Sequence, residues 1–413
     1  MNKITEIFVK NPLLFLWPLC IIKKELVLIL SFAYLIMFYF HRGIKLTRYS
    51  KVLLSIGAIQ CLAIVFAMLI NSFELNRVFA ALNTTLIWIN AGMILSIYTK
   101  YNVRISIKNC GIMAIINISI LFIVTIFGIF LHFKGMNISI PGGRQLLNDD
   151  YINGQLTYRT CCFFEYPTLI SMFCFVNIPF AIKFLDSKKF KYLTIGFLFI
   201  ACMISIYMSR SRWGLLLCLF LFAVFVFLKE LRKGKDVKSY IIFSVFLVGI
   251  LVSPAIFTIL MKLLNSRSGS NSMRFIIYYE SVKSSISNNF LIGCGVKNMI
   301  GGYPLGSHSS IIGSFYKTGL IGFALFMYLY IMILFKSIKD INHHIILSAS
   351  ILSILCFMIF EDIDGTNWLW IYFALLISFI ICRKKKHGDV DTCEKKIEED
   401  TICDAEMGKE LPL

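Results

Sequence analysis

Charge is scarce in this sequence. Asp, Glu, Lys and Arg make up 15% of its residues, whereas a soluble globular chain carries roughly 25%. A surface so poor in charge is not solvated, which excludes a soluble fold for most of the chain. Hydrophobic residues reach 58% and mean hydropathy is +0.78. The about two or three soluble domains expected from length alone therefore give way to one membrane domain over 1–386. Metal-binding patterns are missing too. No Cys-x-x-Cys pair occurs among the 13 cysteines, and Cys161-Cys162 has no His or further Cys at ligand spacing. The thiols lie mostly inside apolar runs and read as small packed hydrophobes. There is no nucleotide-binding loop and no zinc motif. Gly293-Cys-Gly-Val-Lys-Asn298 lacks the βαβ context of a dinucleotide site. A soluble-type glycosyltransferase acidic pair is also missing. No cofactor and no metal are expected, and any energy must arrive with the substrate or from a gradient. Residues 1–22 lack a small-residue cleavage site, so no removable signal peptide is expected.

What is present is a series of apolar runs, several near the roughly 20 residues that cross a bilayer. They fall at 26–40, 52–71, 78–98, 110–131, 162–182, 192–208, 213–228, 240–261, 311–335, 345–360 and 367–382. A segment near 4–22 is weaker, interrupted by Glu6, Lys10, Pro12 and Pro18. Lipid offers backbone amides no partner and no alternating barrel pattern is visible. The expectation is an all-α, polytopic transmembrane helix bundle of about 11 or 12 spans. Short runs such as 213–228 should extend into their flanks.

Loop charge orients the bundle, because cytoplasmic loops favour Lys and Arg. The basic loops hold Arg42, Lys45, Arg48 and Lys51, then Lys100, Arg104 and Lys108, then Lys183, Lys188, Lys189 and Lys191. They continue with Lys229 to Lys238, Lys336 and Lys339, and Arg383 to Lys386. These are read as cytoplasmic, with the acidic, aperiodic end 387–413 as a disordered cytoplasmic tail. The net charge of +18 is thereby loop charge, and nucleic acid is not an expected partner. Two long loops, about 132–161 and 262–310, then face outward. The second carries apolar residues at helical spacing over 272–290, which reads as an amphipathic helix on the outer surface.

The two sides differ in which cation they use. Counted over the loops from Arg42 onward, the cytoplasmic side holds 17 Lys and 5 Arg, the outer side 4 Lys and 7 Arg. The outer seven are Arg77, Arg144, Arg159, Arg210, Arg212, Arg267 and Arg274. Arg offers a planar, always charged fork that binds phosphate bidentately, so the set suggests a phosphate or diphosphate site. The plainer alternative is contact with lipid headgroups. Arg210 and Arg212 stand out in the turn Met208-Ser-Arg-Ser-Arg-Trp-Gly214, at the headgroup boundary, where charge is costly. His308, in Gly306-Ser-His-Ser-Ser310, is a candidate general base, against an ordinary loop histidine. His132 is a weaker one. Glu165 is a candidate partner for one of the arginines. Glu361, Asp362 and Asp364 form a small acidic outer turn that could bind a cation, but adjacent carboxylates in a loop are expected to be solvated.

Several of these residues sit in motifs that resemble the O-antigen ligase and polysaccharide polymerase superfamily, over roughly 155–335. Arg274 is followed four residues on by Tyr278. Next comes Asn289-Phe-Leu-Ile-Gly-Cys-Gly295, with Phe290 near a usual Pro, then His308-Ser309 before Thr318-Gly-Leu-Ile-Gly322. Upstream lie Ser211-Arg-Trp-Gly214 and Arg159-Thr-Cys-Cys-Phe-Phe-Glu-Tyr-Pro-Thr168, with Cys162 where Gly is common. The resemblance implies glycosyl transfer from an undecaprenyl-diphosphate-linked oligosaccharide, outside the cytoplasmic (inner) membrane and without nucleotide or required metal. It implies that Arg212 and Arg274 hold the lipid diphosphate and that His308 activates the acceptor hydroxyl. Arg159, Arg210, Arg144, Glu165 and Tyr278 are the further candidates for diphosphate or glycan. The expected activity is polymerisation of repeat units into O-antigen, capsule or exopolysaccharide. Expected partners are membrane lipids, a chain-length regulator and a flippase. The alternatives are a ligase of the same superfamily and, from another class, a flippase or transporter, which would place ionisable residues in mid-membrane.

Overall fold

The computed structural model describes residues 10–21, 24–70, 74–101, 105–140, 144–152, 155–186, 188–231, 268–341 and 343–382. The expected span 240–261, Arg267 and the tail 387–413 lie outside the described residues. A 3₁₀ turn, Pro12–Phe15, leads into α1 (Leu16–Ile21), α2 (Lys24–Arg42), α3 (Arg48–Ile70), α4 (Leu75–Lys100) and α5 (Ile107–Phe133). Then follow α6 (Leu169–Leu185), α7 (Lys191–Met208), α8 (Arg212–Leu231), α9 (Ser268–Asn289), α10 (Ser310–Asp340), α11 (Ile345–Phe360) and α12 (Asn367–Cys382). The chain is an all-α polytopic bundle. Among the described residues five helices are long and apolar enough to cross a membrane: α3, α4, α5, α7 and α10. As expected, the 213–228 run extends into its flanks.

Exposed apolar side chains such as Leu69, Phe133 and Leu193 point away from the bundle, as lipid-facing positions must. Small and polar residues lie inward. Asn117 on α5 donates to Asn177 on α6 at 2.9 Å, and Ser96 on α4 to Ser50 on α3 at 2.7 Å. Thr125 on α5 donates to Ser205 on α7 at 3.2 Å. Such bonds hold helices together where apolar burial alone gives no preference over lipid. Between them Trp88, Trp370 and Phe326 form a buried aromatic centre.

The connections sort to two ends. At one, Ser106 donates its amide to Lys10 and Cys382 meets the Tyr98 carbonyl, among the lysines of 45–51, 100–108 and 183–191. The other end gathers Arg77, Arg144, Arg159, Arg210, Arg212 and Arg274, tied by contacts such as Arg77 to the Lys297 carbonyl at 3.0 Å. The arginine-rich end also carries strands, which the period of the sequence does not announce. β1 (Ser139–Ile140) pairs with β2 (Arg144–Gln145), and β3 (Leu147–Ile152) with β4 (Gln155–Thr160). β5 (Met299–Ile300) pairs with β6 (Tyr303–Pro304). Ile140, Leu146 and Leu147 are buried against Leu131 of α5, which seats the first two hairpins on the bundle.

α10 departs from the expected span 311–335. Gly319, at φ 60 and ψ −163, divides it into 310–318 and 320–340. The second part, about 30 Å long at 1.5 Å per residue, spans a bilayer by itself. The first part is a separate piece that carries side chains to the arginine-rich end.

Candidate active site

Breaking a helix frees carbonyls on one side and amides on the other, and both need partners. The loop 290–295 supplies them. Its Cys294 and Gly295 amides donate to the carbonyls of Tyr316 and Lys317, at 2.8 and 3.2 Å. Its Phe290 and Leu291 carbonyls accept from Leu320 and Ile321, at 2.9 and 3.2 Å. For this the two backbones must nearly touch. A Cβ on Gly293 would lie 2.3 Å from the Gly319 nitrogen, and one on Gly319 would lie 2.4 Å from the Gly293 nitrogen. Both glycines have positive φ. The two Gly motifs of the sequence are thus the two halves of one crossing. Through it, α9 is fixed to the broken helix.

That crossing sets α9 beside the turn Glu361–Thr366 between α11 and α12. Arg274 donates to Glu361 Oε1 at 2.6 Å and to the Phe360 carbonyl at 2.9 Å, while its buried Nε has no partner. One turn on, the Tyr278 hydroxyl donates to the His308 carbonyl at 2.6 Å. Ser309 caps the first part of α10 by accepting from the Ile312 amide. Ser310 accepts from the Ile363 amide and donates to the Glu361 carbonyl. His308 is held at φ 64. Burial, and then the charge of Arg274, push its imidazole down to about 4. It is therefore neutral at neutral pH and able to take a proton.

The acidic turn is not solvated, contrary to expectation. Glu361 and Asp364 are 8% and 1% exposed. Lys297 pairs with Asp362 at 2.9 Å. Lys317, 1% exposed, pairs with Asp364, which also accepts from Trp370 Nε1 at 3.2 Å. Tyr166 donates to the Asp362 carbonyl at 3.0 Å. Burial pushes the Glu361 carboxyl up against the pull of Arg274. Burial opposes the charge of Asp362 too, yet Lys297 and Lys317 hold it below the ordinary carboxylate range. These acids are buried because each meets a cation, the condition under which buried charge is tolerated.

The remaining arginines lie on the neighbouring hairpin and the α7–α8 turn. Arg159, on β4, donates Nε to the Ser209 carbonyl at 2.9 Å. Arg210, at φ 55, donates to Asp150 at 3.3 Å and to Thr157 at 2.7 Å, a cross-strand pair of β3 and β4. Arg210 and Arg212 line a cavity of about 460 Å³ with His132, Tyr158, Thr160 and Leu215. Trp213 beside them stacks on Phe360, centroids 3.7 Å apart, so the cavity adjoins the Arg274 cluster. Arg144 reaches the other way, donating to the Cys20 and Phe163 carbonyls at 2.7 and 3.0 Å. It faces Glu165 at 3.7 Å, the arginine partnership expected for that acid. Of the candidates, Arg274, Tyr278 and His308 form one cluster. Arg210 and Arg212 share the cavity, Arg159 bridges the two, and Arg144 with Glu165 braces the start of the chain.

Lys297, Lys317 and the carboxylates of the turn were not foreseen as site residues. Lys317 carried a signal, since a lone charge inside an apolar run is costly and needs a reason. Lys297 carried none, because its partner lies 65 residues away. Residues 196–327 match the family model described as O-antigen ligase. This stretch, about a third of the chain, holds Arg210, Arg212, Arg274, Tyr278 and His308 together with both sides of the helix crossing. No curated protein matches the chain.

Proposed function

We propose, with support from the match of residues 196–327 to the O-antigen ligase family model, that this chain transfers a glycan from a lipid diphosphate to an acceptor sugar. The observation that carries this reading is the meeting of Arg274, Lys297 and a neutral His308 at one end of a membrane bundle. Departure of a diphosphate develops negative charge, and guanidinium groups already in place stabilise it without reorganising. Arg274 and Arg212 are the diphosphate ligands in this reading, with Arg159 and Arg210 beside them. The donor stays anchored by its lipid, so holding an acceptor hydroxyl against the anomeric carbon supplies further rate by proximity. His308 takes the proton of that hydroxyl as the new bond forms. A single displacement inverts the anomeric centre.

We place the site on the extracytoplasmic face of the cytoplasmic membrane, from the arginine-for-lysine exchange between the two ends. The lipid is undecaprenyl diphosphate in the superfamily resemblance. The reaction we favour is polymerisation of repeat units into O-antigen, capsule or exopolysaccharide. A ligase is the second reading, supported by the description of the matched family. A chain-length regulator and a flippase are the partners a polymerase needs. Deleting the gene separates the two: loss of a polymerase leaves single-repeat products, whereas loss of a ligase accumulates long lipid-linked polymer. Arg274→Ala and Arg212→Ala should each abolish product while protein level stays intact. Normal polymer from both variants sinks the diphosphate assignment.

A further inference from the structure

Arg274 already holds an anion. Glu361 Oε1 sits 2.6 Å from its Nη2, in an ion pair whose side chains are 20% and 10% exposed. A diphosphate that takes this guanidinium must therefore displace a carboxylate with little access to water. We propose that Glu361 is the resident stand-in for the lipid diphosphate, and that it takes up a proton when the diphosphate replaces it on Arg274. The idea rests on the diphosphate reading above and adds to it a residue, an exchange and a proton.

The surroundings decide what becomes of Glu361 once Arg274 turns away. Tyr278 approaches from α9, Arg159 from β4, Tyr166 from the segment before α6, and Asp362 from its own turn. Of these, Arg159 is the one cation, and its Nε is engaged by the Ser209 carbonyl. Lys297 and Lys317 are engaged by Asp362 and Asp364. Burial already pushes the Glu361 carboxyl up while Arg274 is beside it. Without Arg274, the more weakly acting charge of Arg159 is what still opposes burial, while the incoming phosphate charge and Asp362 push the carboxyl up. Leaving the carboxylate charged and buried is the costly outcome. A proton from solvent completes the balance: the guanidinium moves from carboxylate to phosphate, and the carboxylate becomes a carboxylic acid. The same contact keeps Arg274 from drawing unspecific anions into an empty site. The buried Nε that has no partner in the resting state gives the guanidinium a further donor for a phosphate oxygen.

The sign of the pH dependence follows. Ligand binding coupled to proton uptake weakens as pH rises, by up to tenfold per unit for one proton. The probe must not titrate itself, so a soluble farnesyl diphospho-sugar, a diphosphate diester, is suitable. Its binding to full-length protein in detergent would be measured by calorimetry between about pH 6 and 8.5, in buffers of different ionisation enthalpy, which counts protons directly. The wild type should take up close to one proton per ligand. Glu361→Gln should take up none, lose the pH dependence and bind at least about tenfold tighter at the alkaline end. Proton uptake near zero in the wild type, with binding intact, overturns the proposal without any variant. So does a Glu361→Gln protein that keeps the wild-type slope. Arg274→Ala keeps the two ideas apart: if it binds the probe as the wild type does, the diphosphate assignment itself has failed.

Discussion

Lys317 and Asp364 are the most deeply buried ion pair among the described residues, at 2% and 1% side-chain exposure, and their separation is a test of how the site is held. Lys317→Met keeps much of the shape and removes the charge. Asp364 then has two ways to persist: charged without a partner, or protonated. Holding a proton at pH 7 on a carboxyl of ordinary pKa near 3.9 costs about three pH units, roughly 4 kcal/mol. This agrees with the 3–5 kcal/mol typical of breaking a buried pair. The protonated acid still accepts from Trp370 Nε1, so no further large term arises. The single variant should lose about 4 kcal/mol at pH 7 and about 1.5 kcal/mol at pH 5. The direction is fixed: in the variant the folded-state carboxyl lies above its unfolded value, so the penalty is full at high pH and fades as pH falls toward 4.

Lys317→Met with Asp364→Asn replaces both charges and keeps an acceptor for Trp370. It should recover to within about 1 kcal/mol of the wild type, because removing both members of a buried pair is nearly neutral. Unfolding in SDS, followed by tryptophan fluorescence at the two pH values, reads all of this. A penalty that does not change between pH 7 and 5, or a double variant no better than the single, refutes the argument. Activity adds a separate readout. The turn that holds Asp364 also holds Glu361, so the single variant should lose transferase activity beyond its loss of folded protein.

Two further outcomes follow from the same geometry. Gly293→Ala forces a Cβ to 2.3 Å from backbone at φ +87, whereas Gly301→Ala meets nothing nearer than 3.8 Å. The first should cost about 2–4 kcal/mol and the second about 1 kcal/mol, read as thermal denaturation in detergent. A Gly293→Ala protein as stable as Gly301→Ala would mean that the crossing does not form. The acid limb of the pH–rate profile should lie near 4, with activity rising as His308 loses its proton. His308→Gln should remove that limb along with most of the rate. A limb near 6.5 would show that the imidazole is not buried beside Arg274.

Most of the helix pattern was legible because lipid enforces it: a span must be apolar and must satisfy its own amides. Arginine at one end and lysine at the other was equally legible, as loop composition. What escaped was everything that depends on chain crossings. The break at Gly319 lies inside an apolar run that reads as uninterrupted, because the loop that repairs it comes from 290–295. The acidic turn read as solvated because its counter-charges, Arg274, Lys297 and Lys317, are 87, 65 and 47 residues distant. The hairpins of 139–160 are too short for a period-2 pattern to emerge from polar loop sequence. Motif resemblance recovered part of this, since it set Gly293, Gly295 and Gly319 in order before any reason for them was visible.

Among the described residues, three that are not glycine adopt positive φ: Cys162, Arg210 and His308. All three are at the arginine-rich end. Such a conformation costs about 1–3 kcal/mol and persists only where the surroundings over-determine it. At Cys162 the side chain is buried beside Thr125 at 3.8 Å, and packing accounts for it. At the other two, polar contacts hold the backbone: Arg210 is tied to Asp150 and Thr157, and the His308 carbonyl accepts from Tyr278. A glycine at 210 or 308 would relax the backbone, but it would also remove a guanidinium from the cavity mouth and an imidazole from beside Arg274. The strain in the turns at 208–212 and 306–310 supports the proposed roles of Arg210 and His308, a charge and a base held at fixed positions. That inference runs from the strained backbone to function and is independent of the motifs. It singles out Arg210, whose ties to Asp150 and Thr157 hold the hairpin over the cavity that Arg212 lines.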